Sequence, residues 1–289
     1  MGTRLRRGGV VANGAGFGMT VRADGAVACN SRMTSHEDTR SRLADKVVTV
    51  TGGSSGIGAA VARRVAAEGA AVVVAARGAA AGERVAAEIV SHGGRAIFQP
   101  TDVTVEEDIA RLVDRALREY GSLSGAFNNA GDVTSLLSVP EIDAQAWHFE
   151  VDENLTSVFL SMKYQIPAIL AAGGGAIVNN ASLGGVRGIP GLAPYVAAKH
   201  GVVGLTRSAA LEFADRGVRV NALVTGNVDT PLYRRLLGVS PDEPLPDAPN
   251  PTGRVASTDE VAAYVAYLLS DEAAFVTGAA LAIDGGATA

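Results

Sequence analysis

The sequence predicts an α/β fold: a doubly wound parallel sheet of about seven strands, flanked by helices on both faces, in a single domain. Three observations predict it. Short runs rich in β-branched residues recur along the chain, and segments with helical periodicity separate them. The runs are apolar on both faces, which is typical of strands buried in a parallel sheet. No internal repeat and no interdomain linker interrupts this alternation over residues 43–289.

The first predicted strand, Val47–Val50, ends at a glycine-rich stretch, and a helix over Ile57–Glu68 follows it. The further strands are predicted at Ala71–Ala76, Arg95–Gln99, Leu123–Phe127, Ala176–Asn180, Val218–Val224 and Ala280–Ile283. The further helices are predicted at Ala79–Ser91, Val105–Tyr120, Ala144–Ala172, Pro194–Asp215 and Thr258–Leu269. Because proline cannot donate a helical hydrogen bond, a break or bend is expected around Pro167. The proline-rich stretch Ser240–Pro251 is expected to belong to a surface lid near residues 231–253.

Residues 1–42 have a different pattern. Up to Arg32 the segment carries five arginines but a single acid, Asp24, and no helical or strand period persists. Arg6-Arg7 lacks the continuous apolar core of an export signal, although an arginine-rich transit peptide is an alternative. The segment is predicted to be a flexible extension, and Met33 is a candidate for the biological start.

Composition excludes several function classes. The chain has 289 residues, with 25 basic and 30 acidic side chains and a net charge of −5, which argues against a nucleic-acid binder. A single cysteine excludes an intrachain disulfide and favours a reducing, cytoplasmic setting. The four histidines show no metal-ligand spacing, so no metal site is predicted. Charged residues break the most apolar stretches, so no membrane span is expected either.

A glycine-rich loop lies between the first predicted strand and the first helix. Glycines there let the backbone turn tightly and approach a pyrophosphate, which would sit at the helix N-terminus. The strand before the loop and the helix after it are the context that this interpretation requires. The candidate cofactor-binding residues of the loop are Gly52, Ser54, Ser55, Gly56, Ile57 and Gly58.

The loop has the form Thr-Gly-x-x-x-Gly-x-Gly rather than Gly-x-Gly-x-x-Gly. Together with Asn128-Asn129-Ala130-Gly131 and the arrangement Ser182…Tyr195-x-x-x-Lys199, it resembles the compact single-domain branch of the short-chain dehydrogenase/reductase family. The resemblance covers Leu43 to Gly286. It implies a Rossmann-type sheet, a nicotinamide cofactor and interconversion of a carbonyl and an alcohol.

The end of the second predicted strand indicates which nicotinamide cofactor is used. An acid there would bind the adenosine ribose of NAD and repel a 2′-phosphate, but the chain has Ala76 followed by Arg77. Because arginine can pair with phosphate through two donors, the sequence predicts NADP(H), with NAD(H) as the alternative.

The resemblance also implies cofactor contacts after later strands. Asp102-Val103 corresponds to the pair placed against the adenine ring, although Asp102 could equally cap the next helix. Asn128, Ala130 and Gly131 match the family motif that ties the strand to its neighbours and leaves room for the cofactor. The alternative for that stretch is a plain turn.

After the sixth predicted strand, Gly226, Val228 and Thr230 correspond to residues near the nicotinamide carboxamide. The family usually has proline where this chain has Thr225, so the backbone geometry is expected to differ there.

The candidate catalytic residues are Asn154, Ser182, Tyr195 and Lys199. Tyr195 and Lys199 are four apart on a predicted helix and therefore share a face. Reduction of a ketone needs a proton donor, and a neighbouring ammonium is expected to lower the pKa of the Tyr195 phenol. Ser182 can orient the substrate oxygen. By resemblance, Lys199 also holds the nicotinamide ribose and Asn154 supports a proton relay to solvent.

The sequence thus predicts an NADP(H)-dependent oxidoreductase that reduces a ketone or oxidises a secondary alcohol. An NAD-dependent alcohol dehydrogenase, a non-catalytic NADP-sensing regulator and an epimerase or dehydratase with tightly held NAD are alternatives. Apolar helices around Trp147–Ala172 and Pro194–Asp215 correspond to the family's four-helix subunit seam, so a homotetramer, or a dimer, is expected.

The predicted substrate walls are Asp132–Pro140, Leu183–Leu192 and Leu232–Pro251, which carry many apolar residues. Arginines on these walls could bind an anionic group or could be surface charges. They are Arg187, Arg234 and Arg235. Small molecules from β-ketoacyl thioesters to sugars, steroids and polyketide ketones all stay open as substrates.

Overall fold

Strands and helices alternate through the main unit of the chain in a computed structural model, which describes Met19–Val21, Val27–Cys29 and residues 42–134 and 136–289. The strands are β1 (Met19–Val21), β2 (Val27–Cys29), β3 (Val47–Thr51), β4 (Ala71–Ala76), β5 (Arg95–Pro100), β6 (Gly125–Asn128), β7 (Gly175–Asn180), β8 (Val218–Thr225) and β9 (Ala280–Ile283). The α-helices are α1 (Gly56–Ala67), α2 (Ala79–Ser91), α3 (Glu106–Tyr120), α4 (Ala144–Val151), α5 (Ser157–Ala171), α6 (Ala193–Phe213), α7 (Pro231–Leu237) and α8 (Thr258–Leu269).

Seven of the strands form one parallel sheet, in the order β5-β4-β3-β6-β7-β8-β9. The predicted doubly wound parallel sheet is therefore confirmed. The strand order reverses between β3 and β6, and such a switch point opens a crevice at the carboxyl ends of the strands. This crevice lies between the glycine-rich loop and the Asn128–Gly131 segment.

The hydrophobic core lies on both faces of the sheet because side chains alternate along each strand. On one face, Val48 and Val50 pack with the buried sides of α1, α2 and α8. On the other face, Val47 packs with those of α3, α5 and α6. Both faces of β3 and β4 are fully covered, which agrees with their apolar sequences.

The helix break that was predicted around Pro167 lies earlier in the chain, before α5. Pro167 is inside α5, and the irregular segment is one wide π-helical turn, Asp152–Thr156, between α4 and α5. Side chains satisfy carbonyls that this turn frees: Asn154 Nδ2 donates to the Glu150 carbonyl at 3.0 Å, and Ser157 Oγ donates to the Glu153 carbonyl at 2.8 Å. Such turns are frequent at functional sites, and this one carries the predicted catalytic asparagine.

The predicted lid region begins with a helix that the sequence analysis did not anticipate. Thr230 caps α7 by accepting a hydrogen bond from the Tyr233 N–H at 3.1 Å, and Gly238, at φ +67°, ends it in the left-handed conformation. Seven residues are too short for a reliable periodic signal, and the adjacent prolines favoured a loop interpretation.

The N-terminal unit is described only in part. Met19–Val21 and Val27–Cys29 pair as antiparallel strands, where the sequence predicted no regular element. Apart from Arg42, the rest of the predicted extension, including Met33, lies outside the described residues. Among the helices that the structure describes, none combines the length and the apolar character that crossing a bilayer requires.

Candidate active site

A cleft of about 380 Å³ lies at the carboxyl ends of the central strands. It brings together most of the residues predicted for cofactor binding and catalysis. Those that line it are Gly52, Ser54, Ser55, Gly56, Ile57, Arg77, Val103, Ala130, Gly131, Asn154, Tyr195, Lys199 and Thr230. Residues from seven separated segments of the chain therefore face one crevice, at the switch point of the sheet.

Other predicted residues do not line the cleft. Asn128 is buried and donates to Gln165 Oε1 at 3.0 Å and to Asn179 Oδ1 at 2.9 Å. Its amide therefore ties β6 to β7 and α5, and the neighbouring Asn129 lines the cleft instead. The expected tie between this strand and its neighbours is present, and the alternation along β6 turns the Asn128 side chain into the core rather than into the cleft.

Asp102 also lies outside the cleft lining, although Thr101 and Val103 on either side belong to it. Its carboxylate accepts hydrogen bonds from the N–H of Thr104, at 3.0 Å, and from its hydroxyl, at 2.7 Å. Burial raises the pKa of Asp102, but these bonds and the charge of Arg77 together hold it below its ordinary value. The residue closes a turn before α3; the N-cap of that helix is Val105.

Gly226 and Val228 do not line the cleft. A Cβ at Gly226 would lie 2.7 Å from the Asp284 Cα, so this glycine allows close packing of the C-terminal strand. Val228 is buried and pairs with Ala256 in an isolated parallel bridge. Thr230 is the residue of this predicted group whose side chain reaches the cleft.

The glycine-rich loop fits a pyrophosphate by geometry. Gly52 and Gly56 have φ of +64° and +51°, a region that only glycine enters freely. A Cβ at Gly58 would overlap the Gly52 carbonyl oxygen and stand 2.9 Å from Asn129 Nδ2. Across the cleft, a Cβ at Gly131 would lie 2.5 Å from Asn154 Oδ1. Each of these glycines keeps open a space that a side chain would fill, and the loop leads into α1 with no acid in its first turn.

Tyr195 and Lys199 share one face of α6, as their spacing predicts, and the Lys199 Nζ lies 5.5 Å from the centroid of the Tyr195 ring. Burial raises the pKa of the Tyr195 phenol, while a hydrogen bond with Ser182 opposes this rise and the charge of Glu150 adds to it. The sequence predicted a pKa lowered by Lys199. The structure shows a raised pKa instead, because desolvation dominates.

Lys199 is a buried cation. Its Nζ donates to the Asn180 carbonyl at 3.0 Å, and its exposed fraction is 4%. Burial lowers the pKa of Lys199 to about 8, against an opposing contribution from the negative charge of Glu150. The ammonium is therefore close to its titration point under mildly alkaline conditions.

Asn154 is fully buried at the centre of a polar cluster. Its Nδ2 donates to the Asp132 carbonyl at 2.8 Å and to Glu150 Oε2 at 3.1 Å. Its Oδ1 is buried without a hydrogen-bond partner. The point 2.5 Å from this oxygen, where a Gly131 Cβ would stand, is 3.4 Å from Lys199 Nζ. An unpaired acceptor beside a buried ammonium is an arrangement that can hold a water or a ligand hydroxyl.

Ser182 combines a strained backbone with a contact to the phenol. Its φ is +95°, which is rare for a residue other than glycine, and its N–H donates to the Leu223 carbonyl at 3.2 Å. Its Oγ accepts from the Gly184 N–H at 3.3 Å. Strained conformations of this kind persist where surrounding contacts hold them in place, and they are frequent at functional sites.

Thr225, where the family usually has proline, has a definite role. Its hydroxyl donates to Asn180 Oδ1 at 3.2 Å, and Asn180 Nδ2 donates in turn to Asn129 Oδ1 at 3.0 Å. The backbone carbonyl of the same residue, Asn180, accepts from Lys199. The threonine hydroxyl therefore adds a hydrogen bond that helps to fix the asparagine beneath the lysine.

Two acids on the α4–π-turn segment were not singled out from the sequence. Glu150 is buried, and its Oε1 accepts from both the N–H and the hydroxyl of Thr134, each at 2.8 Å. Glu153 is also buried, lines the cleft and pairs with Arg77. A signal for both acids was present in the sequence. They lie one and four residues before Asn154, and the residue four positions away lies on the same face of a helix as Asn154.

The three arginines on the predicted substrate walls hold structural contacts. Arg187 donates to the Ala287 carbonyl at 3.0 Å, and Arg234 pairs with Asp229. Arg235 pairs with Asp132 and so joins α7 to the loop after β6. The surface-charge alternative therefore describes these residues better than recognition of an anion. Within the described part of the chain, no cluster of three or more histidine, cysteine or acidic side chains could hold a metal ion.

Known proteins match this chain over almost the whole of residues 42–289. The family model of enoyl-(acyl carrier protein) reductase matches residues 52–288. Cyclohexanol dehydrogenase of Acinetobacter sp. (strain SE19) is 44% identical over 84% of this chain and 95% of its own length. The chain belongs to the short-chain dehydrogenase/reductase family.

Two further relatives support the family membership. The 2,5-dichloro-2,5-cyclohexadiene-1,4-diol dehydrogenase of Sphingobium indicum (strain DSM 16412 / CCM 7286 / MTCC 6364 / B90A) is 45% identical over 86% of this chain and 99% of its own length. The crystal structure of carveol dehydrogenase from Mycobacterium avium in complex with NAD superposes with a TM-score of 0.79, at 30% identity, over 86% of this chain and 99% of that one. The chain is thus an oxidoreductase of this family, whose relatives act on small-molecule alcohols or ketones.

Proposed function

We propose that this short-chain dehydrogenase/reductase interconverts a ketone and a secondary alcohol, with Tyr195 as the group that gives or takes the proton. The observation that carries the proposal is the convergence of Tyr195, Lys199 and Asn154 in the cleft that also contains the glycine-rich loop. One crevice thus offers a proton donor, a cation and a pyrophosphate cradle.

The direction of proton transfer follows from the pKa of Tyr195. Because burial raises that pKa, the phenol keeps its proton around neutral pH and can donate it to a developing alkoxide. Ser182, whose hydroxyl opposes the rise in the pKa of the phenol, is the residue that we propose orients the substrate oxygen. In the oxidative direction Tyr195 must first lose its proton, so higher pH favours oxidation.

Lys199 and Asn154 support the proton path. The Lys199 ammonium stabilises negative charge on the Tyr195 oxygen as the proton leaves. The unpaired Oδ1 of Asn154 faces the same space and is an acceptor through which a proton can be relayed. Glu150 and the Asp132 carbonyl hold the asparagine amide so that this oxygen points inward.

The cofactor that we propose is NADP(H), with NAD(H) as the alternative that the NAD complex of carveol dehydrogenase supports. When bound, the nicotinamide supplies or accepts the hydride. The loop Gly52–Gly58 would hold the pyrophosphate, Val103 and Arg77 lie at the adenosine end, and Lys199 lies at the opposite end. No acid ends β4, where Ala76 stands, and this absence favours the phosphorylated cofactor.

The substrate that we propose is a cyclic secondary alcohol or the corresponding ketone. The names of two relatives at 44% and 45% identity specify alcohols on a six-membered carbon ring. The wall segments around Leu137 and Leu192, which pair in a parallel bridge, offer apolar surface for such a ring.

We also propose a homotetramer. Large apolar side chains stand exposed on three helices: Trp147 and Phe149 on α4, Phe159 on α5 and Leu211, with an exposed fraction of 87%, on α6. Apolar surface gathered on neighbouring helices is typical of a subunit interface. Light scattering coupled to size exclusion tests this proposal, and a monomer would contradict it.

The catalytic proposal is tested with Tyr195→Phe. Cyclohexanone reduction is followed by the loss of NADPH absorbance, and of NADH absorbance in parallel. We expect kcat to fall at least about a hundredfold, because a general acid contributes that much or more, while the Kd of the cofactor stays unchanged.

Tyr164→Phe is the matched control. This tyrosine is on α5, and its hydroxyl donates to Glu106 at 2.8 Å. It does not line the cleft, so its replacement should leave kcat unchanged. Full activity of Tyr195→Phe would refute the assigned role. Cofactor binding without turnover of any ketone or alcohol would favour the non-catalytic sensor.

A further inference from the structure

Glu153 is a buried acid in the wall of the cleft. Its side chain is 5% exposed and belongs to the π-helical turn, directly before Asn154. The same part of the lining contains Arg77, Gly78, Thr101 and Val103, which follow β4 and β5. This is the end of the cleft where the chain lacks the acid that usually recognises an unphosphorylated ribose.

Arg77 is bound to this acid. Its Nη1 donates to Glu153 Oε1 at 3.1 Å, across 76 residues of sequence, while the arginine side chain keeps 60% of its surface exposed. The guanidinium has five N–H donors, so the pair leaves most of them directed to solvent and the cleft. The carboxylate nevertheless compensates part of the positive charge that the sequence analysis assigned to phosphate recognition.

The surroundings of Glu153 hold its pKa above the ordinary value, and Arg77 is the opposing influence. Burial raises the pKa of Glu153, Arg77 lowers it, and the nearby acids Asp102, Asp132 and Glu150 raise it further. Arg77 is thus the cation that stabilises the Glu153 carboxylate among these acids. A phosphate that approaches Arg77 must compete with a carboxylate already in contact, and it meets the field of the neighbouring acids as well.

We propose that Glu153 limits the preference for NADP(H) over NAD(H) by neutralising part of the charge of Arg77. This inference rests on the proposed dinucleotide site and adds a specificity-determining residue to it. A 2′-phosphate brings up to two negative charges to Arg77 and is repelled by the paired carboxylate. NAD(H) carries an uncharged hydroxyl at that position, so its binding depends much less on the charge of Glu153. Removal of that charge therefore favours NADP(H) selectively.

The test is a fluorescence titration of the full chain with NADPH and with NADH, for the wild type and for Glu153→Gln. We expect the variant to bind NADPH about tenfold more tightly relative to NADH, which corresponds to about 1.4 kcal/mol. Glu153→Leu, which replaces the carboxylate with an aliphatic side chain of similar size, should shift the ratio in the same direction. It keeps the test decisive if the glutamine variant does not fold.

Arg77→Met provides the matched background. In Arg77→Met the further change Glu153→Gln should shift the ratio of the two Kd values clearly less than it does in the wild type, because only the direct repulsion is removed and there is no guanidinium to release. An equal change for both cofactors, no change, or a shift that is equally large without Arg77 would overturn the inference. The ratio in the wild type tests the proposed NADP(H) preference, and the change in that ratio tests Glu153, so either can fail alone.

Discussion

Replacement of Lys199 by methionine tests whether burial of its ammonium group lowers the free energy of unfolding. Lys199 is 4% exposed, and burial lowers its pKa from 10.5 to about 8. At roughly 1.4 kcal/mol per pH unit, this difference corresponds to about 3 kcal/mol. Below about pH 8 the folded chain carries this cost in full, because both the folded and the unfolded states bind the proton.

The sign follows from which state loses its proton first. Between about pH 8 and pH 10.5 the folded state releases the Lys199 proton while the unfolded state keeps it, so the cost declines as the pH rises. From pH 7 to about pH 9.5 the free energy of unfolding of the wild type should rise by about 2 kcal/mol relative to Lys199→Met.

The assay is denaturant unfolding of both proteins at the two pH values, so that the loss of the hydrogen bond to Asn180 cancels from the comparison. Lys163→Met is the control, since this exposed lysine pairs with Glu106 and its pKa is raised rather than lowered. That control should show no relative gain at high pH. A constant difference between wild type and Lys199→Met across the two pH values would refute the argument that burial lowers the Lys199 pKa.

Two further substitutions probe the same cleft. Glu150→Gln removes the charge that raises the pKa of Lys199. The alkaline pH at which ketone reduction declines should therefore be lower than in the wild type. An unchanged pH profile of kcat for reduction would contradict this electrostatic role. Gly58→Ala places a methyl group against the Gly52 carbonyl and should weaken NADPH binding at least about tenfold in a fluorescence titration. Gly188→Ala, where a Cβ would meet nothing within 4 Å, is its control, and equal affinities for the two variants would show that the loop tolerates a side chain.

Features that depend on local spacing could be predicted from the sequence. The alternation of β-branched runs and helical segments predicted the parallel sheet and its flanking helices, and four elements have the predicted bounds: β4, β9, α2 and α8. The four-residue spacing of Tyr195 and Lys199 predicted a shared helix face. The glycine-rich loop was predicted because strand, glycines and helix are consecutive in the chain.

Contacts between distant segments could not be predicted in this way. At the end of β6, either Asn128 or Asn129 points into the core and the other faces the cleft. A shift of one residue in strand register would exchange them. The pKa of Tyr195 was predicted from its neighbour in sequence alone. Burial by the whole fold reverses the expected direction.

The sequence by itself therefore determined the sheet, the glycine-rich loop and the pairing of tyrosine with lysine, because each is written in residues close together along the chain. The tertiary structure decided the charge balance of the cleft. It brings Glu153 to Arg77 across 76 residues and removes Glu150 and Lys199 from water. Electrostatic effects depend on distance and burial in three dimensions, and neither is recorded in local spacing.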